Sequence, residues 1–166
     1  MRTFETFDSI MPRIRLAGGP SVARPTIRPL SRTIVADASA LLEYLLQTEA
    51  STAIGDVLRL ADADLRVPAL CDIEVAAGLR RAILRDLLSA ERANLALEHY
   101  LLMPFSRHDH RGLLPRVLEL RSNFSAYDAC YVALAEELDA ELLTADEPLA
   151  RAVERHTRIG LLPVRG

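Results

Sequence analysis

Short apolar runs alternate along the chain with longer stretches in which apolar residues recur every three or four positions. The run from Thr33 to Asp37 is β-branched at its start and ends in a carboxylate, and a helix-like pattern to Leu46 follows it directly. Further apolar runs predict short strands at residues 65–67, 101–105, 142–144 and 159–164. The stretches between them predict helices over residues 53–60, 70–88, 89–100, 112–120, 126–138 and 148–155.

This alternation predicts an α/β fold, in which a parallel sheet of about five short strands is flanked by helices on both faces. Right-handed crossovers would connect the strands and give three layers. At 166 residues and 50% hydrophobic residues, the chain fits one domain with ample material for a core.

Residues 1–32 differ from the rest of the chain. They hold four of the nine prolines and show no sustained periodicity, so we expect a flexible N-terminal extension or an over-called start, with the folded domain over 33–166. Six arginines against Glu5 and Asp8 give this segment a net charge of +4, which leaves −7 for the remainder of a chain whose total is −3. An acidic domain needs metal ions or a local basic patch to approach nucleic acid.

Composition excludes several classes of protein. The sequence contains no Lys, which excludes a P-loop and disfavours phosphatases and receiver modules that place a Lys at the phosphoryl site. The cysteines Cys71 and Cys130 lack metal-binding spacing and read as buried, reduced thiols. No apolar run is long enough to span a bilayer and no secretory signal is evident, so we expect a cytoplasmic protein without a membrane anchor.

Four carboxylates occupy equivalent places, where a strand ends or the next helix begins: Asp37, Glu74, Asp128 and Asp146. In a parallel sheet these places share one edge, so we expect the four acids to converge there. Clustered carboxylate oxygens suit Mg²⁺, or Mn²⁺, and without a cation their charges would repel one another. The pattern therefore points to metal-assisted phosphodiester hydrolysis.

Each acid also has a purely structural interpretation. Asp37 and Asp146 precede helices and could be N-caps, and Asp128 completes an S-x-x-D capping-box pattern. Glu74 alone would be a solvated helix position, although Gly78 one turn later would leave open space over its carboxylate. Capping explains one acid at a time, whereas a shared metal explains why all four positions are acidic.

Two further features have open interpretations. Asn123 could hydrogen-bond a substrate phosphate or a bound water, or it could simply form a turn before a helix. The segment Arg107–Arg111 holds an H-x-H pair, but a metal site there would need further ligands that the sequence does not offer, so we interpret it as a solvated loop.

Four segments carry a resemblance to a known family. Taken in chain order they resemble the motifs of PIN-domain ribonucleases, specifically the VapC-type toxins: Ile34–Ser39, Pro68–Val75, Ser125–Ala135 and Leu142–Ala150. The resemblance covers about residues 33–164. Residues 1–32 depart from the family pattern, in which the first strand starts close to the N-terminus.

The resemblance implies a three-layer PIN-like domain that cleaves RNA endonucleolytically with Mg²⁺, or Mn²⁺, and a metal-activated water. It also implies a cognate antitoxin and a homodimer. The alternative is a catalytically silent PIN-like module that binds RNA or a partner. By similarity, the catalytic and metal-binding residues would be Asp37, Glu74, Asp128 and Asp146, supported by the hydroxyls of Ser39 and Thr144.

Overall fold

The computed structural model describes residues 31–162 and residue 164. Its strands are β1 Arg32–Ala36, β2 Ala63–Pro68, β3 Ser106–His108, β4 Glu141–Leu143 and β5 Leu161–Leu162. Its helices are α1 Ala38–Leu46, α2 Ser51–Leu58, α3 Leu70–Leu84, α4 Ala90–Leu102, α5 Leu114–Glu119, α6 Ala126–Glu137 and α7 Glu147–His156. Residues 1–30 of the predicted N-terminal extension lie outside the described residues.

The five strands form one parallel sheet in the order β3-β2-β1-β4-β5. Ile34 of β1 pairs with Leu65 of β2 on one side and with Glu141 of β4 on the other. Starting from β1, the chain adds β2 and β3 on one side of the sheet and then crosses back to add β4 and β5 on the other side. Right-handed crossovers then place α1–α4 on one face and α5–α7 on the opposite face. The predicted three-layer α/β architecture is confirmed.

The sheet is buried because helices cover both faces. Ile34, Val35, Val67, Leu142 and Leu143 have no exposed surface, which explains why the central strands read as continuous apolar runs rather than as alternating ones. Among the described residues, no helix is long and apolar enough to cross a membrane.

The third strand lies elsewhere than predicted. The sequence indicated residues 101–105, but Leu101 and Leu102 end α4, and the strand is the polar segment Ser106–His108. This strand is at the edge of the sheet and pairs only with β2, so it has little need of apolar side chains. The apolar pattern instead came from leucines that the structure leaves exposed at 59% and 85%.

Side-chain caps begin two of the predicted helices where expected. The Ser89 hydroxyl accepts a hydrogen bond from the Arg92 N–H at 3.3 Å, and Ser125 accepts one from the Asp128 N–H at 3.1 Å. Helix α3 ends at Leu84 rather than Leu88, and Asp86 just beyond it has a positive φ of 56°.

Candidate metal centre

Asp37 lies immediately after β1, at the point where the strand order reverses between β1 and β4. Its backbone N–H donates to the Leu143 carbonyl at 2.8 Å, which extends the β1–β4 ladder by one residue. Open α/β sheets bind ligands in the crevice at such a reversal, because the following helices lie on opposite faces. The Asp37 side chain is only 7% exposed, so this carboxylate is built into the crevice.

Two hydroxyls hold the Asp37 carboxylate. Ser39 Oγ and Thr144 Oγ1 both donate to Asp37 Oδ2, the latter at 2.8 Å. Each hydroxyl in turn accepts a backbone N–H, Ser39 from Ala145 at 3.0 Å and Thr144 from Asp146 at 3.1 Å. These acceptor contacts orient both hydroxyl protons toward Asp37. Asp37 occupies the N-cap position of α1, but its side chain is held by the two hydroxyls rather than by a cap hydrogen bond, so capping does not account for this acid.

Glu74 lies in the second turn of α3 and is half-buried. The phenol of Tyr131, on α6, donates a 2.6 Å hydrogen bond to Glu74 Oε2. Tyr131 is 1% exposed, and it is not among the site residues predicted from the sequence. The available signal was its position three residues after Asp128, which places both side chains on the same face of α6.

The expected open space over Glu74 does not exist. A Cβ at Gly78 would lie 2.2 Å from Leu42 Cδ1 and 2.6 Å from Leu42 Cδ2, because Leu42 of α1 fills that position. The glycine instead permits α1 and α3 to approach closely. It thereby sets the spacing between the helix that follows Asp37 and the helix that carries Glu74.

The neighbouring charges act on one another. Burial is the largest cause that raises the pKa of Asp37; its hydrogen bonds to Ser39 and Thr144 oppose this, and the charge of Asp128 adds to it. Burial likewise raises the pKa of Glu74, as do the charges of Asp37 and Asp128, against the hydrogen bond from Tyr131. A cation would relieve this unfavourable concentration of negative charge. We call Asp37, Glu74 and Asp128 the edge acids.

Asp128 has a structural role as well. Ser125 Oγ accepts from the Asp128 N–H, which confirms the cap, and it donates to Asp128 Oδ2 at 2.8 Å, so the carboxylate supports the capping hydroxyl rather than the Ser125 backbone N–H of a full capping box. The half-buried carboxylate still contributes its charge to the other two edge acids.

Asp146 is placed differently. Its carboxylate accepts the Leu149 N–H at 2.8 Å and caps α7, as the structural interpretation predicted. It lines a cavity of about 300 Å³ together with Thr144, Glu147 and Glu154. Its link to Asp37 runs through the Thr144 hydroxyl, which contacts both residues. A cavity of about 660 Å³, by contrast, lies at the other edge of the sheet, where β4 and β5 begin.

Within residues 31–162 and 164, no three His, Cys, Asp or Glu side chains lie close enough together to hold a metal ion jointly. Mg²⁺ does not require such a group, since it keeps several waters and is commonly held by one or two carboxylates and substrate phosphates. The oriented, buried Asp37 carboxylate with two acidic neighbours therefore fits a hydrated Mg²⁺ better than a fully protein-ligated ion.

The other candidate residues lie outside this arrangement. Asn123 is exposed, and its backbone N–H donates to the Leu120 carbonyl in a turn before α6, in agreement with its turn interpretation. His108 Nε2 lies 3.3 Å from the Arg66 guanidinium, a cation, which is a poor setting for a metal ligand.

Comparison with known proteins agrees with this geometry. Residues 34–154 match the sequence profile of the PIN domain. The chain is 42% identical over 131 residues to the VapC ribonuclease Mb0985 of Mycobacterium bovis, which covers 78% of this chain and 98% of that protein. It is 35% identical over 129 residues to ribonuclease VapC12 of Mycobacterium tuberculosis, with the same coverage of both chains.

A solved structure shares the fold at lower sequence identity. PAE2754 from Pyrobaculum aerophilum has a TM-score of 0.61 and 19% identity, covering 79% of this chain and 83% of its own. The profile match spans more than half of the chain, and the two curated relatives exceed 30% identity over most of it. The predicted family is confirmed: the chain belongs to the PIN-domain family and, within it, to the VapC ribonucleases.

Proposed function

We propose that this protein is a Mg²⁺-dependent endoribonuclease and the toxin of a toxin–antitoxin pair. The observation that carries the proposal is the buried Asp37 carboxylate, which two hydroxyls orient at the strand-order reversal beside Glu74 and Asp128. Relatives named as VapC ribonucleases support the substrate class.

One or two of the edge acids would bind the ion directly and the others through its waters, and Asp146, which also caps α7, would be a further acid beside them. When bound, the ion would lower the pKa of a water, offset phosphate charge and stabilise the leaving oxygen. Mn²⁺ is the expected substitute, because it accepts the same oxygen donors. The ion would also overcome the repulsion between an acidic domain and RNA.

The residues of the site support water, rather than a side chain, as the nucleophile. The Ser39 and Thr144 hydroxyls both donate to Asp37, so neither is poised to attack. Cys71, which is buried, has its pKa raised to about 11, chiefly by burial and with added effect from the charges of Asp37 and Glu74, so it stays a neutral thiol. The role of the protein is therefore to position carboxylates.

The proposed partners follow from membership of the family. They are an RNA substrate, a cognate antitoxin protein that inhibits cleavage, and a second copy of this chain in a homodimer. We propose the cytoplasm as the location, where both an antitoxin and RNA are accessible.

The proposal is tested by RNA cleavage with purified, antitoxin-free protein. A panel of structured and single-stranded RNAs is incubated with Mg²⁺, Mn²⁺ or EDTA, using the parent chain and Asp128→Asn. The amide can still accept the Ser125 hydroxyl and retains the backbone cap, so only the charge is lost. Removal of an outer partner of a metal ligand costs about 10–100-fold, and loss of a ligand should cost more. Glu137→Gln makes the same charge change at the exposed far end of α6 and should cleave like the parent.

Metal-dependent cleavage that Asp128→Asn loses and Glu137→Gln retains would support the proposal. Equal cleavage by all three proteins would make Asp128 a cap and nothing more. If folded parent protein cuts none of the RNAs with either metal, the silent binding module becomes the better account.

A further inference from the structure

Two buried tyrosines donate matching hydrogen bonds to carboxylates on α3. Tyr131 donates to Glu74 and Tyr100 donates to Asp72, each at 2.6 Å. Tyr131 is 1% exposed and Tyr100 is 0% exposed, so neither hydroxyl reaches water; each has a carboxylate as its strong acceptor, and the buried Cys71 thiol is a further neighbour of both. The two acceptors are only two residues apart in sequence.

The two carboxylates differ in their charge partners. Asp72 accepts from Arg107 Nε at 2.8 Å and 3.0 Å, and the Arg107 guanidinium also lies over the Tyr100 ring. Glu74 takes part in none of the ion pairs formed by residues 31–162 and 164. Within the described residues, Tyr131 is therefore bonded to a carboxylate that forms no ion pair, whereas Tyr100 is part of a closed structural ion pair.

The Tyr131 hydrogen bond also joins two layers of the fold. Helix α6 lies on one face of the sheet and α3 on the other, and the bond connects them at the edge that bears Asp37. Tyr131 and Asp128 are three residues apart on α6, so one face of that helix presents both a carboxylate and the donor that holds Glu74.

We propose that Tyr131 is a positioning residue for the metal centre: it holds one oxygen of Glu74 and thereby sets the side chain's orientation toward Asp37 and Asp128. This inference rests on the proposed metal-dependent function. A Glu side chain has several rotatable bonds, and a hydrogen bond from a rigid, buried ring removes much of that freedom. Without the hydroxyl, Glu74 must be ordered when the ion binds, which weakens binding.

The test is metal affinity of the full-length protein, measured by titration calorimetry with Mn²⁺ and with Mg²⁺. Tyr131→Phe removes the hydroxyl and keeps the ring, and we expect the dissociation constant to rise about tenfold or more, the effect typical of losing a partner of a metal ligand. Tyr100→Phe is the matched control, since it removes an equivalent buried hydroxyl from Asp72, and its dissociation constant should stay within about twofold of the parent value. Thermal unfolding of the metal-free proteins confirms that all three are folded.

A second measurement tests the route of the effect. In a Glu74→Ala background, adding Tyr131→Phe should change metal affinity by less than about twofold, because the side chain that Tyr131 positions is already absent. A tenfold effect that persisted there would overturn the inference, since Tyr131 would then act by another route.

The remaining outcomes separate the inference from the proposed function. Parent protein that binds metal, together with Tyr131→Phe that binds it equally well, would overturn the role of Tyr131 and leave the metal centre standing. Equal weakening by Tyr131→Phe and Tyr100→Phe would assign both tyrosines a structural role. Folded parent protein that binds neither metal would overturn the metal centre and this inference with it.

Discussion

Leu42 of α1 packs directly against Gly78 of α3, so a side chain at position 78 should change the spacing of these two helices. In Gly78→Ala the new Cβ would meet Leu42 Cδ1 at 2.2 Å, Cδ2 at 2.6 Å and Cγ at 3.0 Å, all well inside contact distance. Leu42 is half-buried and packs against the core, so moving its side chain aside gives up some of that packing. We expect the two helices to separate slightly and Glu74 to move away from Asp37.

The change in the free energy of unfolding of Gly78→Ala is the cost of overpacking minus the gain in helix propensity. Overpacking costs about 1–3 kcal/mol, and replacing a helical glycine by alanine returns about 1 kcal/mol. The net loss is therefore about 1 kcal/mol, which lowers Tm by about 3 °C in a domain of this size. The loss of cleavage should be larger in proportion, since a misplacement of about 1 Å in a catalytic group can cost about 100-fold.

Thermal unfolding and metal-dependent RNA cleavage would be measured for each variant. Gly112→Ala is the matched control, because a Cβ there meets nothing within 4 Å and should leave both quantities near the parent values. Adding Leu42→Ala removes the obstructing atoms, so Gly78→Ala should cost less in that background than in the parent.

A rise in Tm for Gly78→Ala, with cleavage unchanged, would show that Gly78 does not set the spacing of α1 and α3. It would mean that Leu42 moves aside freely and that only helix propensity is felt. The close approach of α1 and α3 would then have no part in placing Glu74.

Two further predictions concern Asp37. The pKa values of Asp37 and Glu74 are raised above their ordinary values of 3.8 and 4.5. In metal-free protein the two carboxyl groups therefore stabilise the folded state at pH values below these ordinary pKa values. This stabilisation is lost as the pH rises through the raised pKa values of the folded protein. Urea unfolding in EDTA from pH 4 to 8 should show a smaller decline for Asp37→Asn than for the parent, and identical slopes would contradict the assigned shift. Thr144→Val removes a hydroxyl that serves Asp37 and the Asp146 N–H, and should destabilise the protein by about 1–3 kcal/mol; unchanged denaturant stability would show that these hydrogen bonds carry no weight.

Much of the fold could be predicted from the sequence because its central strands are buried on both faces. Ile34–Ala36 and Leu142–Leu143 read as uninterrupted apolar runs, and the cap residues Ser89 and Ser125 begin their helices as expected. The edge strand Ser106–His108 could not be found in this way, because a strand that pairs on one side and is largely exposed carries no apolar pattern.

The sequence predicts four acids at the carboxyl edge, but it does not indicate how each of them is held. The family resemblance indicates the hydroxyls of Ser39 and Thr144, whereas the Tyr131–Glu74 bond joins residues 57 positions apart, and its only local sign is the spacing of Tyr131 from Asp128 on α6. Gly78 shows the converse: the missing side chain predicts open space over Glu74, but the neighbouring helix fills that space with Leu42. Contacts between elements depend on packing, which periodicity alone does not specify.

The identity of the nucleophile tests the proposed metal-dependent hydrolysis most directly. If the protein only positions carboxylates and water attacks phosphorus, then cleavage in oxygen-18 water, analysed by mass spectrometry of the product ends, should give a terminal phosphate that carries one solvent oxygen from the first turnover. No 2′,3′-cyclic phosphate should form. A cyclic phosphate without solvent oxygen would show that the RNA's own 2′-hydroxyl attacks, and would contradict hydrolysis by a metal-activated water at Asp37, Glu74 and Asp128.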